Sequence, residues 1–358
     1  MISLLLLSSC RKDNIALSIG SVTPYAVEYP NNFKLVPKIK IPADNPMTVQ
    51  GVELGRNLFY ETLLSGDNTQ ACATCHMPET GFNDPLQFSV GIDGLEGKRH
   101  SMPLFNLGWM DSLFWDGRSN SLEAQALIPV TDVVEMHNTW PAAVAALQAT
   151  DRYPSLFKAA FGTDSITSDI TAKALAQFER TLISGNSVFD KQLEAQWAIG
   201  AGGLTGSDYF LFIEGRDIFE GERGDCAHCH GGVSNPLFTD NEFRNNGLDA
   251  LVDQDDPGLA GVTGDQADYA KFKTPSVRNL LFTAPYMHDG RFNTIDEVID
   301  HYSVGLKDSP TIDPFMKNVD QGGVNLTPSE RSALKFFLEC LTDSSFVKNP
   351  AFQDPELD

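Results

Sequence analysis

Long apolar runs and basic side chains are both scarce in this sequence of 358 residues. A helix that spans a bilayer needs about 20 mostly apolar residues in succession, and because no such run is present, no membrane-spanning helix is predicted. Lys and Arg number 26 against 48 Asp and Glu, so the net charge is −22. This charge argues against nucleic acid or an anionic membrane surface as a partner, since both repel an acidic protein. The charge would attract a protein partner with a basic surface, or it serves only to keep the protein soluble.

Patterns typical of β-structure are scarce as well. Alternating segments such as Phe88–Val90 are too short to build a sheet, whereas two longer segments have helical periodicity. One is residues 170–184, and the other is residues 327–341, where Thr327 suits the N-cap and Glu330 the reciprocal position of a capping box. The predicted fold class is therefore mostly α.

The N-terminus resembles the end of a bacterial lipoprotein signal. A short apolar stretch, Ile2–Leu7, is followed by Ser-Ser and Cys10. This pattern predicts a signal over residues 1–10, with Cys10 lipidated, and a tether over residues 11–44. The basic stretch that usually opens such a signal is missing, which suggests a true start further upstream. The alternative is a hydrophobic N-terminus without a role.

Four of the six cysteines form two copies of the pattern C-x-x-C-H. The first copy contains Cys72, Cys75 and His76, and the second contains Cys226, Cys229 and His230. This pattern is the attachment signature of c-type haem: the paired thiols form thioethers with the vinyl groups, and the adjacent imidazole ligates the iron. The sequence therefore predicts two covalently bound haem c groups in a protein matured outside the bacterial cytoplasm.

Three other interpretations of these cysteines are weaker. A redox-active dithiol does not require the histidine, a zinc site would need both copies to converge, and disulfides across such tight loops would be strained. The remaining cysteine, Cys340, lies in an apolar helical pattern and is predicted to be a small buried residue.

The sequence is also internally duplicated around the two motifs. Gly55–Phe59 precedes the first motif, and the similar Gly215–Phe219 precedes the second. The glycine-rich segment 200–206 suggests a boundary between two halves. We therefore expect two cytochrome c-like haem domains with long irregular loops, over residues 45–203 and 204–348, followed by a tail over 349–358.

Beyond these motifs, the sequence resembles the bacterial dihaem cytochrome c peroxidase and MauG family over roughly residues 45–345. The matching segments are Cys72–His76, Phe114–Arg118 with Ser121–Ala126, Gln177–Leu182, Cys226–His230, Lys273–Asn279 and Thr283–Phe292. The resemblance implies that His76 is the proximal ligand of an N-terminal haem that reacts with peroxide. It implies likewise that His230 ligates a six-coordinate, electron-transferring haem in the C-terminal half.

The resemblance also implies a calcium ion between the haems. Its ligands would include backbone carbonyls at Thr283 and Pro285, and Asn83 is a candidate side-chain ligand. Hard oxygen donors of this kind suit calcium. Without the resemblance, Thr-Ala-Pro would be interpreted as a plain turn.

Tyr302 occupies the position at which peroxidases of the family carry a methionine as the sixth ligand of the second haem, and in this it resembles the MauG branch. A phenolate favours ferric and higher states, whereas a thioether favours ferrous iron. The alternative is that Tyr302 is a packed aromatic residue and that Met287 or Met316 is the ligand.

The chain departs from the family pattern over the first haem. Leu113 stands where the family has a glutamine, and Ala124 where it has a glutamate that helps to move a proton. Glu123, one residue earlier, is the candidate acid–base residue, or else an exposed helix glutamate. Trp109 and Trp115 are either stepping stones for electrons or core residues.

Two functions follow as hypotheses. The first is a peroxidase that reduces hydrogen peroxide with electrons from a small periplasmic c-type cytochrome or cupredoxin, or from a protein substrate. The second is a dihaem electron-transfer protein without peroxide chemistry. In either case we expect a location in the periplasm or cell envelope, a lipid anchor at Cys10 and possible homodimerisation.

Overall fold

The structure is a computed structural model that describes residues 22–197, 203–250 and 256–357. The predicted signal with Cys10, and most of the glycine-rich segment, lie outside these residues. The described ranges contain thirteen α-helices, and none of these is both long and apolar enough to cross a bilayer. In chain order, α1–α13 are Val49–Phe59, Cys72–Cys75, Leu122–Ala126, Ile128–Thr131, Trp140–Gln148, Arg152–Phe161, Ser168–Glu179, Val188–Trp197, Gly206–Glu220, Ala227–His230, Ala260–Thr263, Ile295–Asp300 and Pro328–Glu339.

β-Structure within the described residues is confined to one short antiparallel pair and isolated bridges. Strands β1 (Phe243–Arg244) and β2 (Phe272–Lys273) pair with Phe243 opposite Lys273. A π-helix, His301–Gly305, continues directly from α12. The prediction of a mostly α fold is confirmed.

Side-chain caps fix where the helices begin. Thr48 and Thr167, the N-cap residues of α1 and α7, accept hydrogen bonds from the backbone N–H groups of Gly51 and Ile170. At α13, Thr327 Oγ1 accepts from the N–H of Glu330, whose carboxylate accepts from the N–H of Thr327 at 2.7 Å. The capping box predicted at this helix is therefore confirmed.

Each half contains a crossing of two long helices, α1 against α7 and α9 against α13. In the first crossing, a Cβ atom on Gly55 would lie less than 3.0 Å from the carbonyl oxygen of Ala174. In the second, a Cβ atom on Gly215 would lie equally close to the carbonyl oxygen of Ala333. Because only glycine fits at this separation, the repeated Gly-Arg segments of the sequence correspond to two equivalent helix contacts.

The aromatic residues at the crossings repeat in the same way. The ring of Phe59 in α1 lies 5.3 Å from that of Phe178 in α7, and the ring of Phe219 in α9 lies 5.2 Å from that of Phe337 in α13. All four side chains are buried, and each pair stands at the centre of its own apolar core. The duplication seen in the sequence is thus a duplication of packing.

The packing moves the boundary between the halves toward the N-terminus. Helix α8 precedes the glycine-rich segment, yet its Phe189 and Leu193 belong to the second core. The tail also departs from a simple order along the chain, because Phe352 packs in the first core and its carbonyl accepts a 2.6 Å hydrogen bond from the Tyr60 hydroxyl. By packing, therefore, the first half includes part of the C-terminus, and the second half begins at α8.

Part of the segment predicted as a tether, residues 11–44, is packed against the folded halves. Residues 31–35 form a 3₁₀-helix, and the side chain of Phe33 is only 2% exposed. The ring of Phe33 lies 5.3 Å from that of Trp109 in the first half, and the Arg278 guanidinium of the second half lies 5.2 Å from its centroid. Because Phe33 and Ile39 are buried, this part of the segment is packed between the two halves.

Candidate functional site

The first C-x-x-C-H motif lines a cavity in the N-terminal half. Cys72, Cys75 and His76 all contribute to its wall. The Nδ1 atom of His76 lies 3.0 Å from the carbonyl oxygen of Phe82. Burial lowers the pKa of His76, so the ring is neutral. A neutral imidazole whose Nδ1–H is held by a carbonyl offers Nε2 as a metal ligand.

The second motif lines a second cavity with the same arrangement. Cys226, Cys229 and His230 contribute to its wall, and the Nδ1 atom of His230 lies 3.0 Å from the carbonyl oxygen of Pro275. Burial lowers the pKa of His230 as well. Both cavities therefore present paired thiols beside a neutral imidazole, which fits covalent haem c.

The other interpretations of the cysteines do not suit this geometry. All five described cysteines are free, and the two motifs line different cavities, so they do not converge on a zinc ion. Burial raises the pKa of Cys72 to about 12 and that of Cys75 to about 11. A redox-active dithiol requires a lowered pKa, so these thiols are poorly suited to that role. Cys340 is buried, as predicted.

The two cavities share a wall. Seven residues contribute to both linings, namely His100, Pro103, Trp115, Lys273, Thr274, Pro275 and Ser276. The indole Nε1–H of Trp115 donates to the carbonyl oxygen of His100 at 2.8 Å, and the backbone N–H of Lys273 donates to the carbonyl oxygen of Trp115 at 2.8 Å. Trp115 is thus held rigidly between the two sites, whereas Trp109 packs outside them against Phe33 and Tyr29.

All three candidate sixth ligands line the second cavity, namely Tyr302, Met287 and Met316. The side-chain amide of Asn246 donates to the Tyr302 hydroxyl at 3.1 Å and to Met287 Sδ at 3.5 Å, so these two candidates are close together. Tyr302 lies in the π-helix, a distortion that occurs frequently at functional sites. Burial raises the pKa of Tyr302 to about 12, although the Asn246 amide opposes the shift, so the phenol is neutral in the metal-free chain.

The residues expected to bind calcium offer oxygen atoms without hydrogen-bond partners among the described residues. Asn83 is fully buried, and its Oδ1 atom has no partner among the described residues. The Nδ2 atom of the same amide lies 3.4 Å from the carbonyl oxygen of Ala284, between Thr283 and Pro285. No hydrogen bond within the described ranges uses the carbonyl oxygens of these two residues. A buried amide oxygen beside two free carbonyls fits a calcium ion.

Glu123 lies away from the peroxide site predicted for it. Its carboxylate forms an ion pair with the guanidinium of Arg180, with contacts of 2.8 and 2.9 Å, and accepts a 2.7 Å hydrogen bond from Asn45. It is not among the residues that line the first cavity, whereas its neighbour Leu122 is. The one-residue offset from the family position thus directs the carboxylate into a structural ion pair. Leu113 does line the cavity.

Six carboxyl groups line the first cavity, and none of them was predicted from the sequence as an acid–base group; for two of them, Glu135 and Glu179, burial raises the pKa strongly. Burial raises the pKa of Glu135 to about 7 and that of Glu179 to about 8. Glu179 is buried, and its Oε2 atom has no hydrogen-bond partner among the described residues. Glu179 stands in the Gln177–Leu182 segment that matched the family, but only its burial shows that its carboxyl group is neutral.

One further group of potential metal ligands lies outside both cavities. Glu222, Asp225 and His228 bring their ligand atoms within 4.8 Å of one another. The ammonium group of Lys317, however, pairs with Glu222 and with Asp225, the latter at 3.0 Å. Because a cation already neutralises these carboxylates, the group is an ion-pair cluster.

The fold and both cavities define a mostly α protein with two sites for c-type haem. Comparison with known proteins agrees, since the profile of the family described as di-haem cytochrome c peroxidase matches residues 49–197. The chain belongs to this dihaem cytochrome c peroxidase and MauG family, and membership of a dihaem family supports two haem c groups per chain.

Individual relatives cover most of the chain. The methylamine utilization protein MauG of Methylorubrum extorquens is 37% identical over 310 residues, which are 86% of this chain and 83% of that protein. The cytochrome c551 peroxidase of Nitrosomonas europaea is 31% identical over 288 residues, 80% of this chain and 81% of that protein. A solved MauG-like protein associated with microbial copper homeostasis superposes with a TM-score of 0.79 at 32% identity, covering 90% of this chain and 98% of that one. At family level, the protein is therefore a peroxidase or related oxidoreductase.

Proposed function

We propose that this protein reduces hydrogen peroxide at a haem held by Cys72, Cys75 and His76. Electrons would arrive through a second haem held by Cys226, Cys229 and His230. The observation that carries the proposal is the pair of equivalent cavities, each with paired thiols and a neutral imidazole, on either side of one wall. When bound, haem supplies the iron chemistry of peroxide reduction and one-electron transfer.

Reduction of one hydrogen peroxide to two waters consumes two electrons and two protons. The protons require a group that changes its ionisation near neutral pH. Glu135 supports this role better than Glu123 does, because it lines the first cavity and its pKa is raised to about 7 by burial. Glu123 is instead ion-paired with Arg180. We therefore assign proton handling to Glu135 and leave Glu123 with a structural role.

We assign Tyr302 as the sixth ligand of the second haem. Tyr302 lines the same cavity as His230, and its hydroxyl accepts a hydrogen bond from the Asn246 amide. A phenolate ligand stabilises the oxidised states of iron, so this haem would store oxidising equivalents in preference to accepting electrons from a high-potential cytochrome. Met287, which shares the same amide, is the alternative ligand.

Trp115 supports the electron path between the sites. Trp115 is one of the residues that line both cavities, and two hydrogen bonds fix it in the shared wall. A calcium ion held by Asn83 Oδ1 and the carbonyls of Thr283 and Pro285 would fix the same region, since Thr283 and Pro285 also line the second cavity.

The partners and location follow from the same chemistry. We expect electrons from a small c-type cytochrome or cupredoxin in the periplasm, or from an oxidisable side chain of a protein substrate. The net charge of −22 favours a partner with a basic face. Anchoring through Cys10 and dimerisation remain predictions.

Absorption and electron paramagnetic resonance spectra of the purified protein, recorded before and after adding peroxide, test the proposal. We expect one five-coordinate, high-spin haem that reacts within the mixing time and one low-spin haem that changes with it. Leu113, which lines the first cavity where the family carries a glutamine, favours the alternative of a dihaem electron carrier. Two low-spin haems that do not respond to peroxide would establish the carrier and refute the peroxidase.

A further inference from the structure

Lys273 is a buried cation without an anionic partner. Its exposed fraction is 4%, and no carboxylate of the described residues lies within 4.0 Å of its ammonium group. The two other buried cations of the described chain are Arg180 and Arg278, which form ion pairs with Glu123 and Asp190 at 2.8 Å. Lys273 therefore differs from them in lacking a counter-ion.

The contacts that Lys273 makes are all with neutral groups. Its Nζ atom lies 3.2 Å from Ser112 Oγ, 3.2 Å from the carbonyl oxygen of Asn241 and 5.2 Å from the centroid of the Phe243 ring. The third N–H donor of the ammonium group has no hydrogen-bond acceptor among the described residues. Burial lowers the pKa of Lys273 to about 8, while more distant carboxylates oppose the shift. A buried ammonium group is unfavourable unless an anion neutralises it.

The position of Lys273 indicates where that anion would lie. Lys273 is one of the residues that line both cavities, and its backbone is fixed by pairing with Phe243 and by the hydrogen bond to Trp115. The residue is therefore held at the wall that the two sites share, with its Nζ atom hydrogen-bonded to Ser112 of the first cavity's lining. Haem carries two propionate carboxylates on one edge, and these are its only anionic side chains.

We infer that Lys273 is a positioning residue whose ammonium group is the shared counter-ion of haem propionates from both cavities. The inference rests on the proposed function in one respect, namely that haem occupies both cavities. It deepens that function, because a single cation beside both haems would set the two reduction potentials together.

The direction of the effect follows from Coulomb's law. A positive charge near an iron porphyrin stabilises the state with one more electron, so Lys273 raises both potentials. At a separation of about 10 Å and an effective dielectric constant of about 20, removal of the charge lowers the equilibrium constant for reduction on the order of tenfold. For a one-electron couple, tenfold corresponds to about 59 mV.

Spectroelectrochemical titration of the purified dihaem protein tests the inference, with Lys273→Met as the neutral variant of similar length and Lys273→Arg as the variant that keeps the charge. We expect Lys273→Met to lower the potentials of both haems by about 59 mV and Lys273→Arg to restore them. Lys98→Met is the matched control, because Lys98 lines only the first cavity and is exposed to solvent. Its effect should be smaller and confined to the first haem.

Mass measurement of each preparation separates this inference from the proposed function. If wild type and Lys273→Met both carry two haems and titrate at the same potentials, the role of Lys273 is refuted and the proposed function stands. A shift confined to one haem would refute the shared contact. A wild-type chain without haem would overturn both proposals.

Discussion

Gly55 of α1 lies against the backbone of Ala174 of α7 with no room for a side chain between them. The carbonyl oxygen of Ala174 would be less than 3.0 Å from a Cβ atom on Gly55, a separation that Cβ atoms essentially never show. Gly215 and Ala333 have the same relationship in the second half. The two helix pairs are thus held at a separation that glycine alone permits.

Gly55→Ala should therefore destabilise the first half. The added methyl group meets backbone, which cannot rotate away as a side chain does, so the helices must separate. Overpacking of this kind costs about 1–3 kcal/mol. Urea denaturation followed by circular dichroism should show a lower midpoint. Gly261→Ala is the control, since Gly261 is an exposed helical glycine. A Cβ atom there would lie 3.0 Å from the Pro257 ring, which is the nearest group, and would meet no backbone. Equal midpoints for the two variants would contradict the tight crossing.

Features that depend on local sequence could be predicted correctly. The Thr327–Glu330 capping box, the helical segments and the duplicated Gly-Arg segments all depend on residues close together in the chain, and the structure confirms them. The family resemblance supplied the position of Tyr302, which lines the second cavity; its role as a ligand stays a prediction.

Features that depend on contacts between distant segments could not be predicted. Phe33 and Phe352 look like parts of a tether and a tail, yet both are buried, and α8 packs with the half that follows it. The sequence does not indicate that Glu179 and Lys273 line cavities, since burial of a single polar side chain leaves no periodic pattern. The ion pair of Glu123 could not be foreseen either, because its partner Arg180 is 57 residues away in the sequence.

The buried carboxyl group of Glu179 should make stability depend on pH. Burial raises its pKa from 4.5 to about 8, so between these values the folded state holds a proton that the unfolded state has released. Stability therefore falls as pH rises through this window and levels off above it. Glu179→Gln removes this titration without changing the shape. Thermal unfolding from pH 5 to 9 should show a flatter profile for the variant and, at pH 9, a higher midpoint than wild type. Parallel profiles would exclude a raised pKa at Glu179.

Asn83→Ala should weaken calcium binding. The variant removes the side-chain oxygen proposed for the site and leaves the carbonyls of Thr283 and Pro285 in place. A hydrogen bond or ligand contact to a charged group contributes about 1.5–3 kcal/mol, which corresponds to a tenfold or greater loss of affinity. Calcium content after equilibrium dialysis, measured by elemental analysis, checks this. Asn293→Ala is the control, because Asn293 is exposed and uses only its backbone N–H, in a bond to Glu297. Equal calcium content in all three proteins would remove Asn83 from the site.

Tyr302→Phe should change the spectrum of one haem only. The substitution removes the hydroxyl but keeps the ring that packs in the second cavity. We expect the absorption and spin-resonance signals of the second haem to shift while those of the first stay constant. Met287→Leu is the matched control, because Met287 shares the Asn246 amide and lies in the same cavity. If Met287→Leu changes the spectrum and Tyr302→Phe does not, the sixth ligand is the methionine.

Glu135→Gln should slow the reaction with hydrogen peroxide. Glu135 lines the first cavity, and burial raises its pKa to about 7. The carboxylate accepts a proton from the entering peroxide, so the active form is present above about pH 7 and is lost as pH falls below it. Positioned acid–base groups accelerate reactions about 10²–10⁴-fold, so we expect the second-order rate constant for peroxide to fall at least about 10²-fold in the variant. In wild type this rate constant should rise between about pH 6 and about pH 8, and in the variant it should not.

The matched control for this prediction is Glu123→Gln. Glu123 lies in α3, outside the cavity lining, and its carboxylate is ion-paired with Arg180. Breaking a buried pair leaves a guanidinium without its counter-ion, so this variant should lose stability and keep the peroxide rate of wild type. Stopped-flow mixing at several pH values, with urea midpoints measured on the same preparations, separates the two effects. A slow Glu123→Gln and a fast Glu135→Gln would return the acid–base role to Glu123, and would mean that its ion pair with Arg180 opens when peroxide enters.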